Sequence, residues 1–157
     1  RDIYQLLDHK KITLLAKPFA LGFRIEHPQK DIDSMQYRQK NREENLPAAS
    51  YSISCQIEDK GVFSFCMCPG GLIVPAATSP GEIVVNGMSL SRRDSPYANS
   101  GFVTQVDEED FTKFADRNEL RAMAFQSSIE QKVFAFGDGS QKAAAQKTID
   151  YINKKIK

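Results

Sequence analysis

The sequence has few cysteines, almost no net charge and no long apolar run, and each shortage excludes a class of protein. Its three cysteines are an odd number, and Cys66 and Cys68 lie too close together to close a useful loop, so a disulfide framework is not expected. A formal net charge of +1 gives no overall field that would attract nucleic acid or an anionic membrane. No stretch approaches the roughly 20 apolar residues that a membrane-spanning helix needs, and no signal peptide is recognisable. We therefore expect a cytoplasmic protein with neither nucleic acid nor a membrane as partner.

The length and the apolar content set the scale of the fold. A chain of 157 residues with 41% hydrophobic and 26% charged residues predicts one soluble globular domain over 1–157. The chain begins at Arg1 rather than Met, so we expect either a processed protein or a piece of a longer one.

Apolar periodicity and turn residues predict strands first and helices afterwards. The predicted elements are a helix and the start of a strand within 1–17, strands at 19–27, 51–57, 62–65, 72–76, 83–85 and 102–106, a short exposed helix at 31–39, and helices after Asp107, through 120–127 and over 143–152. Turns are predicted at 58–61, 78–81 and 137–140. The order predicts an α+β fold with an antiparallel or mixed β-sheet covered by C-terminal helices. It does not resemble the alternating pattern of a dinucleotide-binding fold.

The segment from Gly61 to Gly101 is poor in charge and rich in turn residues. Six of the nine glycines and four of the seven prolines lie there, with Glu82, Arg92, Arg93 and Asp94 as its charged residues. Glycine allows the main chain to approach a ligand closely, so this composition suits recognition of a flat, partly apolar ligand by backbone groups. A series of tight turns without a ligand explains it equally well.

The stretch "FCMCPGG", Phe65 to Gly71, is open to several interpretations. A zinc site needs four ligands, and His9 and His27 are the only histidines that could join the two cysteines, so no metal is expected. A redox pair normally has two residues between its cysteines. Strand alternation instead predicts that Phe65 and Met67 point to one face and Cys66 and Cys68 to the other, as wall residues of a pocket or core.

Six further residues could carry function or only structure. His27 ends a predicted strand, where proton transfer or substrate binding competes with hydrogen-bonded packing. Arg92 and Arg93 could bind an anionic group, or Arg92 could pair with Asp94. Asn99 could cap the backbone or face a ligand. Asn86-Gly87 is compatible with a hairpin turn.

Six motifs follow one another along the chain: "KPFALGFRIEHPQKDID" (17–33), "QYR" (36–38), "LPAASY" (46–51), "FSFCMCPGG" (63–71), "VVNGMSLSRRDSPYANSG" (84–101) and "AFQSSIEQKVF" (124–134). Together these motifs resemble the central domain of a family of bacterial FAD-dependent dehydrogenases. They occur in the same order and extend over nearly the whole chain. In that family such a segment interrupts a FAD-binding domain, so the resemblance implies an excised substrate or cap domain. The sequence contains no GxGxxG motif for the adenosine and pyrophosphate of FAD.

The resemblance implies a wall over the flavin ring, made by a Cys-Pro-Gly-Gly bend and an Asn-Gly-Met loop. The main-chain N–H groups of Gly70 and Gly71 are expected to approach the flavin edge. The implied cofactor-binding residues are Cys68, Pro69, Gly70, Gly71, Asn86, Gly87 and Met88. The implied substrate-binding residues are His27, Cys66, Met67, Arg92, Arg93 and Asn99, of which His27 and Arg93 are the catalytic candidates.

The sequence thus predicts the substrate or cap domain of a FAD-dependent oxidoreductase, which lines the pocket over the flavin. FAD is expected in the full-length parent and not in this fragment alone, which would be inactive. The expected partners are the FAD-binding domain of the same polypeptide and an unidentified small-molecule substrate. The alternative is a non-catalytic module that binds a ligand or a protein.

Overall fold

The computed structural model of the chain describes residues 1–77 and 79–155, and of Ala115 and Arg117 it describes the backbone alone. Within these residues the fold contains two β-sheets, four α-helices and a 3₁₀ segment. The paired strands of the larger sheet for which the register is defined are antiparallel. The predicted α+β class is confirmed. The predicted turn at 78–81 includes Thr78, which lies outside the described residues.

The elements follow in chain order, and the strands form two sheets. The helices are α1 Asp2–His9, α2 Gln29–Tyr37, α3 Arg121–Phe136 and α4 Thr148–Ile152, with the 3₁₀ segment over Glu108–Leu120. The strands are β1 Phe19–Pro28, β2 Ser54–Ile57, β3 Lys60–Cys68, β4 Gly71–Ala76, β5 Val84–Ser89 and β6 Tyr97–Val106. The larger sheet has the strand order β1-β6-β3-β2, and β4 pairs with β5 in the smaller one.

The hairpin of β2 and β3 forms where the sequence predicts it. Ile57 pairs with Lys60 and Ser54 with Phe63, so Glu58 and Asp59 make a two-residue turn. The positive φ of 52° at Glu58 is typical of such tight turns. Local turn chemistry therefore sets the register of this pair.

Two predicted helices have different limits in the structure. The first ends at His9, because Lys11 adopts a φ of 56°. Residues 10–18, all of which the structure describes, form no strand. The second begins at Gln29, directly after Pro28, and is not simply exposed. It buries Gln29, Ile32 and Asp33.

Two further predictions need correction. Asn86-Gly87 lies inside β5 and is not a turn, because pairing with β4 keeps this stretch extended. The last helix is limited to Thr148–Ile152, so Ala143 to Ala145 precede it as irregular chain.

Internal contacts divide the chain into two compact units. The helical unit comprises Arg1–Ala20, Pro75–Val84 and Gln105–Ala145. The sheet unit comprises Leu21–Val74, Val85–Thr104 and Gln146–Lys157, of which 156–157 lie outside the described residues.

The helical unit packs around aromatic rings. Phe111 is fully buried and stacks on Phe19, with 6.2 Å between the ring centroids. Phe125 contacts both rings and also Phe114. Offset and edge-on ring contacts at such distances stabilise a core beyond the area that they bury.

The same unit buries a network of charges that the sequence did not indicate. Glu82 and Glu130 are 3% and 5% exposed, and the guanidinium of Arg1 forms an ion pair with each of them. Ser127 also donates a hydrogen bond to Glu82, as does Gln131 at 3.2 Å. One arginine therefore neutralises part of the charge of two buried carboxylates.

Candidate functional site

A β-bulge lies at the end of β3, where the sequence predicts plain alternation. In the pair with β6, Phe65 faces Gly101 and the next paired residue, Cys68, faces Asn99, so two residues of β3 stand opposite one of β6. Cys66, in the bulge, has a φ of 50°. The bulge shifts Cys68 onto the face of Phe65. The prediction that both cysteines line one wall is therefore wrong, and Cys66 is exposed whereas Cys68 is buried.

The chain then turns at Pro69–Gly71, called the bend below, and packs closely on backbone from the segment that contains β5. Gly70 has a φ of 54°, and a Cβ at this position would overlap the carbonyl group of Arg93. A Cβ on Gly71 would lie 2.6 Å from the carbonyl oxygen of Met88. Only glycine fits both positions. The bend and β5, which the sequence assigns to one cofactor wall, are thus direct neighbours.

Side chains already satisfy polar backbone groups of the bend. The carbonyl oxygen of Pro69 accepts a hydrogen bond from the hydroxyl of Ser89 at 2.9 Å. The N–H of Gly70 donates to Oε1 of Gln29 at 2.7 Å, within the protein interior. The expected free N–H at Gly70 is therefore not found, since that donor is engaged with Gln29.

Gln29 connects the bend to two other loops. It is 4% exposed, and its Nε2 donates to the carbonyl oxygen of Ala49 and to a carboxylate oxygen of Asp33 at 2.9 and 2.7 Å. Its backbone N–H donates to the carbonyl oxygen of Pro96 at 2.8 Å. The Asp33 carboxylate also accepts from the N–H of Ala49 and pairs with Arg42. Gln29 thus holds together the bend, the loop at Ala49 and the segment at Pro96, all within the sheet unit.

Arg24 lies on the same side of the sheet as the bulge. Its Nη1 donates to Oδ1 of Asn99 at 2.6 Å, and both terminal nitrogens lie 3.2 Å from the carbonyl oxygen of Cys66. A Cβ on Gly87 would collide with the Arg24 guanidinium and with Asn99. The Nδ2 group of Asn99 is buried without a hydrogen-bond partner among the described residues. A half-buried cation and an unused amide donor therefore lie side by side.

His27 forms a separate polar pair with Tyr51. Its Nε2 lies 2.8 Å from the Tyr51 hydroxyl, while its Nδ1 is buried and has no partner within the part of the chain that the structure describes. Burial raises the pKa of Tyr51, and a hydrogen bond with Ser100 opposes this in part. The phenol is therefore protonated at neutral pH.

The structure brings together most of the predicted cofactor residues and some of the predicted substrate residues. Cys68, Pro69, Gly70, Gly71, Gly87, Met88 and Asn99 all belong to the cluster of bend, β5 and β6, with Cys66 at its bulge. Arg93 contributes its backbone, while its side chain and those of Arg92 and Asn86 are exposed. Met67 is half-buried, and His27 pairs with Tyr51. Their assignment to a cofactor or a substrate stays a prediction.

Arg24, Gln29 and Tyr51 are the site residues that sequence reasoning missed. Arg24 occupies a polar position in an alternating strand, which usually indicates a solvated side chain. Gln29 follows a proline at a helix start, and neither signal suggests burial. Apart from Asp33, which is bonded to Gln29, their partners lie 20 to 75 positions away along the chain.

Among residues 1–77 and 79–155, no group of three or more His, Cys, Asp or Glu side chains is arranged to hold a metal ion. None of the helices in these ranges combines the length and apolar character needed to cross a membrane.

Comparison with known proteins links the chain to flavoproteins. A family model described as "FAD-dependent protein, C-terminal domain-like" matches residues 18–157. A relative described as "Uncharacterized protein", from Clostridium beijerinckii (strain ATCC 51743 / NCIMB 8052), is 42% identical over 158 aligned positions. The alignment covers 99% of this chain and 29% of that relative, so the chain spans less than a third of the length of the curated relative that it matches.

Proposed function

The chain belongs to the FAD-dependent protein, C-terminal domain-like family, and from that premise we propose that it is the substrate or cap domain of a FAD-dependent dehydrogenase and lines the pocket over the flavin ring. Bound FAD would supply the hydride or electron transfer, and the protein would supply binding, orientation and exclusion of water. The proposed partners are the FAD-binding domain of a longer polypeptide and a small-molecule substrate.

The observation that carries the proposal is the contact between the bend and β5 beside Asn99. Three glycines, Gly70, Gly71 and Gly87, occupy places where a Cβ would collide with neighbouring atoms, so main chain packs closely here. Gly70 and Gly71 are buried, whereas Met88 beside them is 55% exposed. The buried and unpaired Nδ2 of Asn99 is a donor that a bound group could use. In this proposal, one edge of an isoalloxazine ring lies against the exposed Met88 side chain of this cluster. The absence of a GxGxxG motif from the sequence leaves the adenosine and pyrophosphate to another domain.

Other side chains would act on the substrate in this proposal. His27 would hold or move a proton at Nε2, through its contact with Tyr51. The exposed guanidinium of Arg93 would bind an anionic substrate group, and Cys66 and Met67 would shape the pocket wall. A cytoplasmic location belongs to the same proposal, supported by the three cysteines that form no disulfide.

The test is a steric block beside the bend in the full-length protein. The Met88 side chain is 55% exposed next to Gly71, so Met88→Trp should be compatible with folding and should obstruct a ring at this place. We expect FAD retention to fall about tenfold, which corresponds to ~1.4 kcal/mol of binding free energy. Met35→Trp is the matched control, because Met35 is an exposed methionine on α2.

The readouts are the flavin content and the flavin absorption spectrum of the purified proteins, with circular dichroism as the folding check. Equal FAD content and identical spectra in both variants would argue against a flavin-facing wall. A wild-type protein that is purified without FAD and does not bind added FAD would favour the non-catalytic binding module.

A further inference from the structure

We propose that Arg24 and Asn99 form a binding site for an electron-rich oxygen group, either a carboxylate of a small-molecule ligand or the carbonyl edge of the flavin pyrimidine ring. The first source is independent of the proposed function, and the second rests on it. The site differs from the exposed Arg92 and Arg93, which the sequence indicates as anion-binding residues.

The charge of Arg24 is not balanced by an acid. Its guanidinium contacts two neutral acceptors, the Cys66 carbonyl oxygen and Oδ1 of Asn99. Among the described residues, no carboxylate lies within ion-pair distance of Arg24. Partly buried cations are usually paired or hydrogen-bonded to an anion, so this guanidinium favours an oxygen anion at its open side.

Asn99 supplies a second donor at the same place. Its side chain is 0% exposed, and Nδ2 has no partner although Oδ1 is bonded to Arg24. A buried N–H without an acceptor destabilises the fold, and a ligand oxygen would recover that loss. Such groups are rare in native proteins and are often explained by a ligand or water that completes them.

Gly87 leaves the space that the Arg24 guanidinium and the Asn99 side chain share. Any side chain at this position would occupy the space of the Arg24 guanidinium and of Asn99. The donors therefore lie against main chain of β5, next to Met88. A guanidinium beside an amide N–H is the donor set that a planar carboxylate or an amide-like carbonyl edge accepts.

The first experiment uses the 157-residue chain and acetate as a carboxylate probe. The side-chain NH₂ resonances of Asn99, assigned with Asn99→Ser, are followed by NMR during titration with sodium acetate, with sodium chloride at equal ionic strength as the reference. We expect a saturable shift with acetate, weakened about tenfold in Arg24→Gln and less in Arg24→Lys, which keeps the charge. Arg38→Gln, an exposed arginine at the end of α2, is the control that should bind as the wild type does.

The second experiment measures the midpoint potential of the flavin in the full-length protein. A cation near the pyrimidine edge stabilises the reduced, anionic ring. Arg24→Gln should therefore lower the midpoint potential by ~30 mV for a two-electron couple, which is about a tenfold change in the equilibrium constant toward oxidised flavin. Arg24→Lys should retain part of the wild-type potential and shows whether a loss reflects charge or disturbed folding.

The two arms separate the ligand sources and the two proposals. Acetate binding alone assigns the site to a ligand carboxylate, and a shifted potential alone assigns it to the flavin edge. Failure of both overturns the inference, even if the protein retains FAD. A full-length protein that lacks FAD overturns the proposed function, while the acetate titration still decides the site.

Discussion

In the helical unit, the half-buried Arg1 lies between two buried carboxylates, whereas in the sheet unit the half-buried Arg24 contacts two neutral oxygens. Arg1 pairs with Glu82 and Glu130. For Arg24 the acceptors are a backbone carbonyl and the amide oxygen of Asn99. Both arginines connect distant segments of the chain, but within the described residues only Arg1 has acidic partners.

The difference separates a structural network from a candidate binding site. A guanidinium between two carboxylates leaves little attraction for a further anion, so the network around Arg1 serves stability. In the described part of the sheet unit, Asn99 Nδ2 and His27 Nδ1 are instead buried without hydrogen-bond partners. Buried polar groups without partners destabilise a fold, and for Asn99, which lies beside Gly87, we propose that a ligand completes the hydrogen bonding.

The largest effect is expected from a comparison of two glycines that both have positive φ. Gly70 in the sheet unit has a φ of 54° and lies against the carbonyl of Arg93, whereas Gly81 in the helical unit has a φ of 79° and open space around its Cβ position. Gly70→Ala should lower the free energy of unfolding by about 4 kcal/mol, because steric overlap adds to backbone strain. Gly81→Ala should cost only about 1 kcal/mol from strain.

Urea unfolding of the two variants measures this difference. Equal losses of stability would mean that the close packing of the bend on its neighbour does not exist in solution, which would remove the geometric basis of the proposed flavin wall.

The next effect concerns Arg1. Arg1→Met removes the cation that pairs with two buried carboxylates and should lower the unfolding free energy by about 3 kcal/mol. The control is Glu108→Gln, which removes an exposed ion pair with Arg121 and should change stability by less than about 1 kcal/mol. A loss in Arg1→Met no larger than in the control, measured by thermal and urea unfolding, would show that the network does not stabilise the helical unit.

Local signals were sufficient for some of these elements. The hairpin at 51–65 and the cap at Asp107 were predictable, because turn residues and a capping box act within a few positions. Asn86-Gly87 has the composition of a turn, but pairing between β4 and β5 decides its conformation. Propensity is a weak guide wherever tertiary pairing competes with it.

The bulge and the donors of the site depend on distant partners. The bulge exists because β3 and β6 pair on both sides of Cys66 with unequal numbers of residues, a register that no single segment encodes. Arg24 and Asn99 are 75 positions apart in the sequence. The motif series predicts the neighbourhood of the bend and β5. The burial of Gln29 and the pairing of Arg24 depend on partners that are distant along the chain.

A smaller effect is expected at Gln29, which holds the bend in place. Gln29→Leu leaves the N–H of Gly70 and the carbonyl oxygen of Ala49 without their partner, so stability should fall by about 2 kcal/mol. Gln39→Leu, which removes a hydrogen bond between exposed side chains, should change stability by less than about 0.5 kcal/mol. Hydrogen exchange at Gly70 should also become faster in Gln29→Leu, and unchanged protection would contradict the role of Gln29 in the bend.

The smallest effect is a pH dependence in the helical unit. Burial alone would raise the pKa of Glu82, but hydrogen bonds from Ser127, Arg1 and Gln131 and the charge of Arg1 outweigh it, so the pKa is lowered. The unfolded chain then binds more protons than the folded one at acidic pH. The stabilisation is present above the ordinary carboxyl pKa and is lost as the pH falls through the lowered value.

We therefore expect the unfolding free energy to decrease below about pH 4.5, with Glu82 responsible for up to about one bound proton of the slope. Glu82→Gln should reduce that slope because it removes the titrating group, whereas Glu58→Gln, in the exposed turn between β2 and β3, should leave it near the wild-type value. Urea unfolding between pH 3 and pH 7 provides the slopes. An identical slope in the wild type and Glu82→Gln would mean that the Arg1 network does not favour the charged form of Glu82. Arg1 would then no longer be an arginine whose charge is balanced by its acidic partners, and the contrast with Arg24 would fail.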